Sequence, residues 1–246
     1  MELLPLTRYI SYHIYHTILL IPKITLDSDP SNLHQFRVSL RRIRALLKLY
    51  PYVSLSFPPI LKQFIKQTNP LRELDVLLAD ISSKNYPNAY RHITELRNDY
   101  YGELFDDLHR KEILEVLNEF YDSVIECNPS TDTQQLIYDA LSYYQESINL
   151  YNALTPQTPE KELHALRIRF KISRYALEFL TESSLHDEGE KITQCKMLQD
   201  HLGKIQDISN QIEWFQALYR RHPIKEFSKL LKERKKQLKI FKESSR

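Results

Sequence analysis

Two stretches of this sequence set basic side chains at helical spacing. In the first, His34, Arg37, Arg41, Arg44 and Lys48 follow at intervals of 3, 4, 3 and 4. In the second, His164, Arg167, Lys171 and Arg174 repeat the same intervals until Glu178 stands where Lys48 stood. Such a run lies along one side of an α-helix, because residues three and four apart are neighbours there. No Asp or Glu falls within residues 31–50 to compensate the first run. Arginine presents a planar fork that matches phosphate oxygens two at a time. The span from His34 to Arg44 is about 15 Å at the helical rise. That length is too great for a single phosphate and suits a linear polyanion. A merely solvated face would mix Lys with Glu; these runs do not.

Beside each basic run lies an apolar one. Leu33, Phe36, Leu40, Ile43, Leu47 and Tyr50 form a seam rotated by roughly 100° from the basic seam. Leu163, Leu166, Phe170, Leu177 and Leu180 form its counterpart, with Ser173 as the polar member. Residues 33–50 (LHQFRVSLRRIRALLKLY) align without a gap on residues 163–180 (LHALRIRFKISRYALEFL), and Leu33, His34, Arg37 and Arg44 meet identical residues. A second echo aligns LRELDVLL at 71–78 with the segment from Leu202, setting Asp75 opposite Asp207. Two related halves follow from this repeat.

The rest of the chain reads as helix. Apolar periodicity predicts helices near 2–20, 31–50, 58–68, 71–82, 87–109, 110–126, 131–154, 159–181, 188–201, 204–221 and 223–242. Asn69-Pro70 and Thr158-Pro159 each place a capping side chain before a proline at the first helical position. Pro51 and Pro156 act as stops, and Asn128-Pro129-Ser130-Thr131 is the natural midpoint. The fold class is therefore all-α: two related helical bundles with pseudo-twofold symmetry. Residues 1–246 make a single domain whose halves run about 1–128 and 129–246.

The net charge of +2 conceals strong segregation. Residues 31–70 carry seven Lys/Arg and no acid, residues 73–126 thirteen acids and five bases, and residues 220–242 ten bases and two acids. Local fields of this kind count for more than the sum. With 3 glycines, a Gly-rich phosphate loop is nearly excluded. Cys127 and Cys195 form no CxxC, so neither a disulfide framework nor a thiolate zinc site is expected. The apolar run at 18–21 is too short for a membrane span, and the expected location is the cytoplasm.

His34 and His164 could serve as metal ligands, phosphoryl acceptors or donors to phosphate. Each leads a cationic seam, and no second His or carboxylate stands four residues after either one. Donation to phosphate fits best, and no metal is expected. Asp75 and Asp207 fit carboxylates that orient an arginine fork. His186-Asp187 reads as a turn between helices. The basic helix toward the C-terminus reads as a solvated face that could extend an anionic track or touch nucleic acid.

These residues resemble the conserved histidine α-helical domain (CHAD) family. The resemblance lies in LHxxRxxxRRxR from Leu33 and LHxLRxxxKxxRYxLE from Leu163, in Leu71-Arg72-Glu73-Leu74-Asp75-Val76, and in the segment from Leu198 to Asp207. Glu73 departs from the family pattern. The resemblance implies two helical bundles about a pseudo-twofold axis, and a basic surface that binds inorganic polyphosphate without catalysis or cofactor. Polyphosphate granules are a possible setting. The implied binding residues are His34, Arg37, Arg41, Arg42, Arg44 and Lys48, then His164, Arg167, Lys171 and Arg174, with Arg169 and Tyr175 beside them. No alternating ExExK strand occurs, so the CYTH hydrolase fused to some members is not expected. Two alternatives stay open: a nucleic-acid-binding helical protein, and a phosphate-chain hydrolase.

Overall fold

In a computed structural model, the basic-seam helices become α2 (Ser31–Leu49) and α8 (Glu160–Glu182), and they pack directly on each other. The structure describes residues 4–128, 131–155 and 157–244. Around this pair stand α1 (Pro5–Leu20), α3 (Pro59–Gln67), α4 (Asn69–Asp80), α5 (Pro87–Leu104), α6 (Asp107–Cys127), α7 (Thr133–Asn152), α9 (Gly189–Arg221) and α10 (Lys225–Ser244). A 3-10 turn at Ile21–Lys23 closes α1, and no strand occurs among the described residues. None of the described helices is long and apolar enough to cross a membrane.

The apolar seams fold inward as their spacing requires. Leu33, Phe36, Leu40, Ile43, Leu47 and Tyr50 are all buried, as are Leu166, Phe170, Leu177 and Leu180. Ser173 is fully buried as well, its hydroxyl 3.3 Å from that of Ser147 on α7. A largest core gathers α1, α2, α3 and α6 with Leu136 and Ala140 of α7 and Phe179 of α8. A second joins α4 and α5 to the C-terminal part of α9 and to α10. A third lies among α7, α8 and α9, and a small seam of Ala45, Ile172 and Tyr175 seals α2 against α8. The two largest cores thus draw side chains from both sides of residue 128. Of the expected midpoint, Pro129 and Ser130 lie outside the described residues, as does the expected stop at Pro156.

Several boundaries differ from the periodicity, each for a local reason. The break expected near 110 falls at Asp106, whose side chain accepts from the His109 amide at 2.7 Å and caps α6. The break expected at 202–203 is absent, because α9 runs unbroken through Gly203. The two expected caps also fail. Asn69 lies inside α4 and its amide oxygen accepts from Arg37, while the Thr158 hydroxyl accepts from the Thr155 amide at 2.9 Å. Cys127 and Cys195 are free thiols.

Candidate functional site

The apolar seam between α2 and α8 fixes the relation of their basic edges. Ala45 on α2 lets Ile172 and Tyr175 of α8 approach closely, and the two ridges then border one cluster of positive charge. Arg41 stands within electrostatic reach of Arg72, Arg167 and Arg174. Lys171 stands within reach of Arg167, Arg41 and Arg174, and His34 within reach of Arg72, Arg41, Arg37 and Arg174. Six of the expected residues thus meet, together with one that had not been singled out, Arg72 on α4. The available signal for Arg72 was the second echo, whose register sets Arg72 opposite Lys204.

Within this cluster, Arg41, Arg72 and Lys171 have no carboxylate at salt-bridge distance among the described residues. Arg167 lies 3.3 Å from Asp207, and Arg174 lies 3.4 Å from Glu178. Like charges gathered without compensation disfavour their own charged forms, and burial adds to this. Burial, then Arg167 and Arg41, push Lys171 down to about 8. Burial, then Arg41 and Arg72, push Arg37 down to about 9. Burial is also the main cause lowering Arg41, and lowering His34 below the ordinary histidine value.

Not every expected residue is free to meet a ligand. Arg37 is buried, donating to the Ile65 carbonyl at 2.6 Å, to the Thr68 hydroxyl and to the Asn69 amide oxygen. It ties α2 to the junction of α3 and α4, and its guanidinium is consumed there. Arg42 faces the opposite flank of α2, because one residue is a turn of about 100°. There it donates to Glu178 at 2.7 Å and lies 3.1 Å from the His13 ring. Arg169 pairs with Glu146 at 2.9 Å and lies over the Tyr143 ring. Tyr175 is buried, its ring 4.9 Å from the Arg174 guanidinium. Arg37 and Tyr175 are thus buried supports, and Arg42 and Arg169 are engaged in ion pairs within the protein. Arg44, Lys48 and His164 are exposed, and none has an ion pair among the described residues.

The carboxylates divide in the same way. Asp207 orients Arg167, a member of the cluster, whereas Asp75 is buried and holds Arg97 at 2.8 Å. Glu73 accepts from the Trp214 indole at 2.5 Å and joins α4 to α9. His186 and Asp187 lie in the α8–α9 turn, with His186 at 2.9 Å from Glu188. Among the described residues no three His, Cys, Asp or Glu side chains are grouped to hold a metal ion.

Gly203 explains how Arg167 reaches the cluster. A Cβ at that position would lie 2.9 Å from both Nε and one terminal nitrogen of Arg167. The glycine inside α9 therefore makes room for a guanidinium lying against the helix. Alanine there improves helix propensity by up to about 1 kcal/mol while pushing Arg167 aside. The expected result for Gly203→Ala is unchanged or slightly raised thermal stability with anion affinity lowered roughly tenfold, the value of one displaced charge-assisted hydrogen bond. Unaltered affinity would show that Arg167 does not need this position.

Comparison with known proteins gives two findings. The family model for the CHAD domain matches residues 8–216. The crystal structure of the CHAD domain from the plant Ricinus communis shares the fold, with a TM-score of 0.72 over 94% of this chain and 83% of that one. The two sequences are 19% identical. No curated protein matches the sequence.

Proposed function

Because this chain belongs to the CHAD domain family, we propose that it binds inorganic polyphosphate along the cationic cluster between α2 and α8, without turning it over. The observation that carries this reading is the group Arg41, Arg72 and Lys171. These are three cations from three helices, none with a carboxylate at ion-pair distance among the described residues, with Asp207 near Lys171 and Asp75 near Arg72 offsetting them only in part. A fold does not gather uncompensated charge for stability, since each neighbour raises the cost of the next. A bound polyanion removes that cost. Arg167 and Arg174, each with only a loose carboxylate contact, complete the floor. Arg44, Lys48 and His164 extend it along the two helices. The two halves are proposed to be pseudo-twofold copies, and the setting to be cytoplasmic, at polyphosphate granules or in solution.

The test is titration with polyphosphates of graded length at several salt concentrations. Affinity should climb with chain length until the cluster is spanned. The logarithm of affinity should fall against the logarithm of salt with a slope of roughly −3 to −4, taking about 0.7 per phosphate neutralised and five cations. Duplex DNA or RNA should be displaced by polyphosphate, and not the reverse. If a nucleic acid displaces long polyphosphate, the nucleic-acid reading replaces this one. Release of orthophosphate from the chain by purified protein would sink the proposal that binding occurs without hydrolysis.

Proton uptake should accompany binding. His34 starts below its ordinary value of 6.5 and Lys171 starts at about 8, and a polyanion raises both. A group whose pKa rises on binding strengthens binding most where the free protein is already protonated. Affinity should therefore be greatest in mildly acidic buffer. It should weaken as pH rises through the free His34 value, and weaken again above about 8 as Lys171 in the free protein loses its proton. His34→Gln should flatten the acidic limb alone, measured by calorimetry in buffers of different ionisation heat.

A further inference from the structure

Lys171 brings a primary amine into a cluster otherwise built of guanidinium groups and an imidazole. Its charged neighbours are Arg167 and Arg174 on its own helix, Arg41 on α2 and Asp207 on α9. The side chain is half-buried and makes no hydrogen bond or ion pair among the described residues. Arginine at the equivalent position of the first repeat, Arg41, keeps its proton under all ordinary conditions. Lysine does not, and an amine close to other cations is a recognised nucleophile. The same positive field gathers small dianions from solution. A reactive amine and a means of concentrating anionic reagents thus coincide at one place.

We propose that Lys171 is an acylation site, modified without a second protein by acyl phosphates that the cationic cluster draws in. The neutral amine attacks the carbonyl carbon of the acyl phosphate. A carbon–nitrogen bond forms, the bond from that carbon to the phosphate oxygen breaks, and phosphate leaves with the electron pair. The surplus proton on nitrogen passes to the departing phosphate or to water. No oxidant or further reactant is needed. The product amide has lost a positive charge from the middle of the cluster, so anion affinity falls. Polyphosphate acts in the opposite sense. It excludes the acyl phosphate and returns the proton to Lys171, so an occupied site is protected. The proposal rests on the cluster admitting anions, and not on polyphosphate being the anion it meets.

The experiment uses the full chain and acetyl phosphate as probe, with acetylation of each lysine followed by peptide mass spectrometry at pH 7.5. Lys171 should be acetylated at least about tenfold faster than Lys232 and Lys236, which are exposed on α10, because burial and like charge free its amine. Saturating polyphosphate should slow Lys171 by a similar factor and leave the α10 lysines unchanged. Arg41→Gln should also slow it and move its pH–rate midpoint upward. A change that only opened the site would speed the reaction instead. Arg167→Gln gives the same reading should the first variant fold poorly. Labelling of Lys171 no faster than that of Lys232, or faster labelling in Arg41→Gln, overturns the proposal. If polyphosphate binds and Lys171 is nevertheless not preferred, acylation fails and the binding reading stands. If Lys171 is preferred and polyphosphate does not bind, the reverse holds.

Discussion

Glutamine at both Arg41 and Lys171 is expected to weaken polyphosphate binding by two to three orders of magnitude while making the unliganded protein more stable. The two positions are equivalent in the repeat and face the same cluster from α2 and α8. Each contributes a charge-assisted contact of about 1.5 to 2 kcal/mol to a phosphate chain. Together that is about 3 to 4 kcal/mol, or 100- to 1,000-fold in affinity. The salt slope should also shrink by about 1.4, two contacts at 0.7 each. In the free protein the same charges only repel. Removing them relieves several like-charge pairs at a few tenths of a kcal/mol apiece, about 1 kcal/mol in all. For a chain of this size that raises Tm by about 2 to 4 °C. Calorimetric titration and a thermal melt measure both quantities on one sample. Lowered stability with unchanged affinity would mean the cluster is structural, and the binding reading would fall.

Arg37→Ala is expected to do the opposite, costing about 3 kcal/mol of stability and lowering Tm by roughly 6 to 12 °C. The guanidinium satisfies the Ile65 carbonyl, the Thr68 hydroxyl and the Asn69 amide at the α3–α4 junction. Truncation strips the buried Thr68 hydroxyl and Ile65 carbonyl of their charged donor, leaving only the 3.0 Å bond from Thr68 to Ile65, and that is the larger part of the cost. Because α4 carries Arg72, affinity should fall too, but only as far as the junction loosens. Lysine at 37 should recover little, since it lacks the fork that reaches both the carbonyl and the Asn69 side chain. Denaturant unfolding of the three proteins separates these outcomes. An Arg37→Ala protein with wild-type stability and lost binding would return Arg37 to the ligand's side.

The contrast between Arg37 and Arg41 marks where the sequence stops being informative. Periodicity identifies α2 and its buried seam, from Leu33 to Tyr50, because burial follows the turn of the helix alone. It also places Arg37 and Arg41 on one edge. Which of them ends in solvent depends on α3 and α4, whose approach no spacing within α2 can report. Arg42 and Arg169 are harder still. Their partners Glu178 and Glu146 lie 136 and 23 residues away, so a motif read along the chain presents paired and unpaired arginines alike. Gly203 follows the same rule. A glycine after His201 and Leu202 reads as a break when only its own helix is considered, and as a recess once Arg167 is seen against it. Arg72 is hidden from a reading along the chain because it sits in an acidic segment, LRELD, whose carboxylates turn toward Trp214 and Arg97.

The thin apolar joint of Ala45, Ile172 and Tyr175 beneath the two basic edges has a mechanical consequence. Helices bolted together along their flanks cannot spread or pinch independently of the shared interior below. On the binding reading proposed above, the spacing between opposing cations is then a fixed gauge, set before any guest arrives. Anions that match its pitch lose little freedom of the host on docking. Mismatched ones must bend themselves, and selection among polyanions falls to the flexibility of the guest.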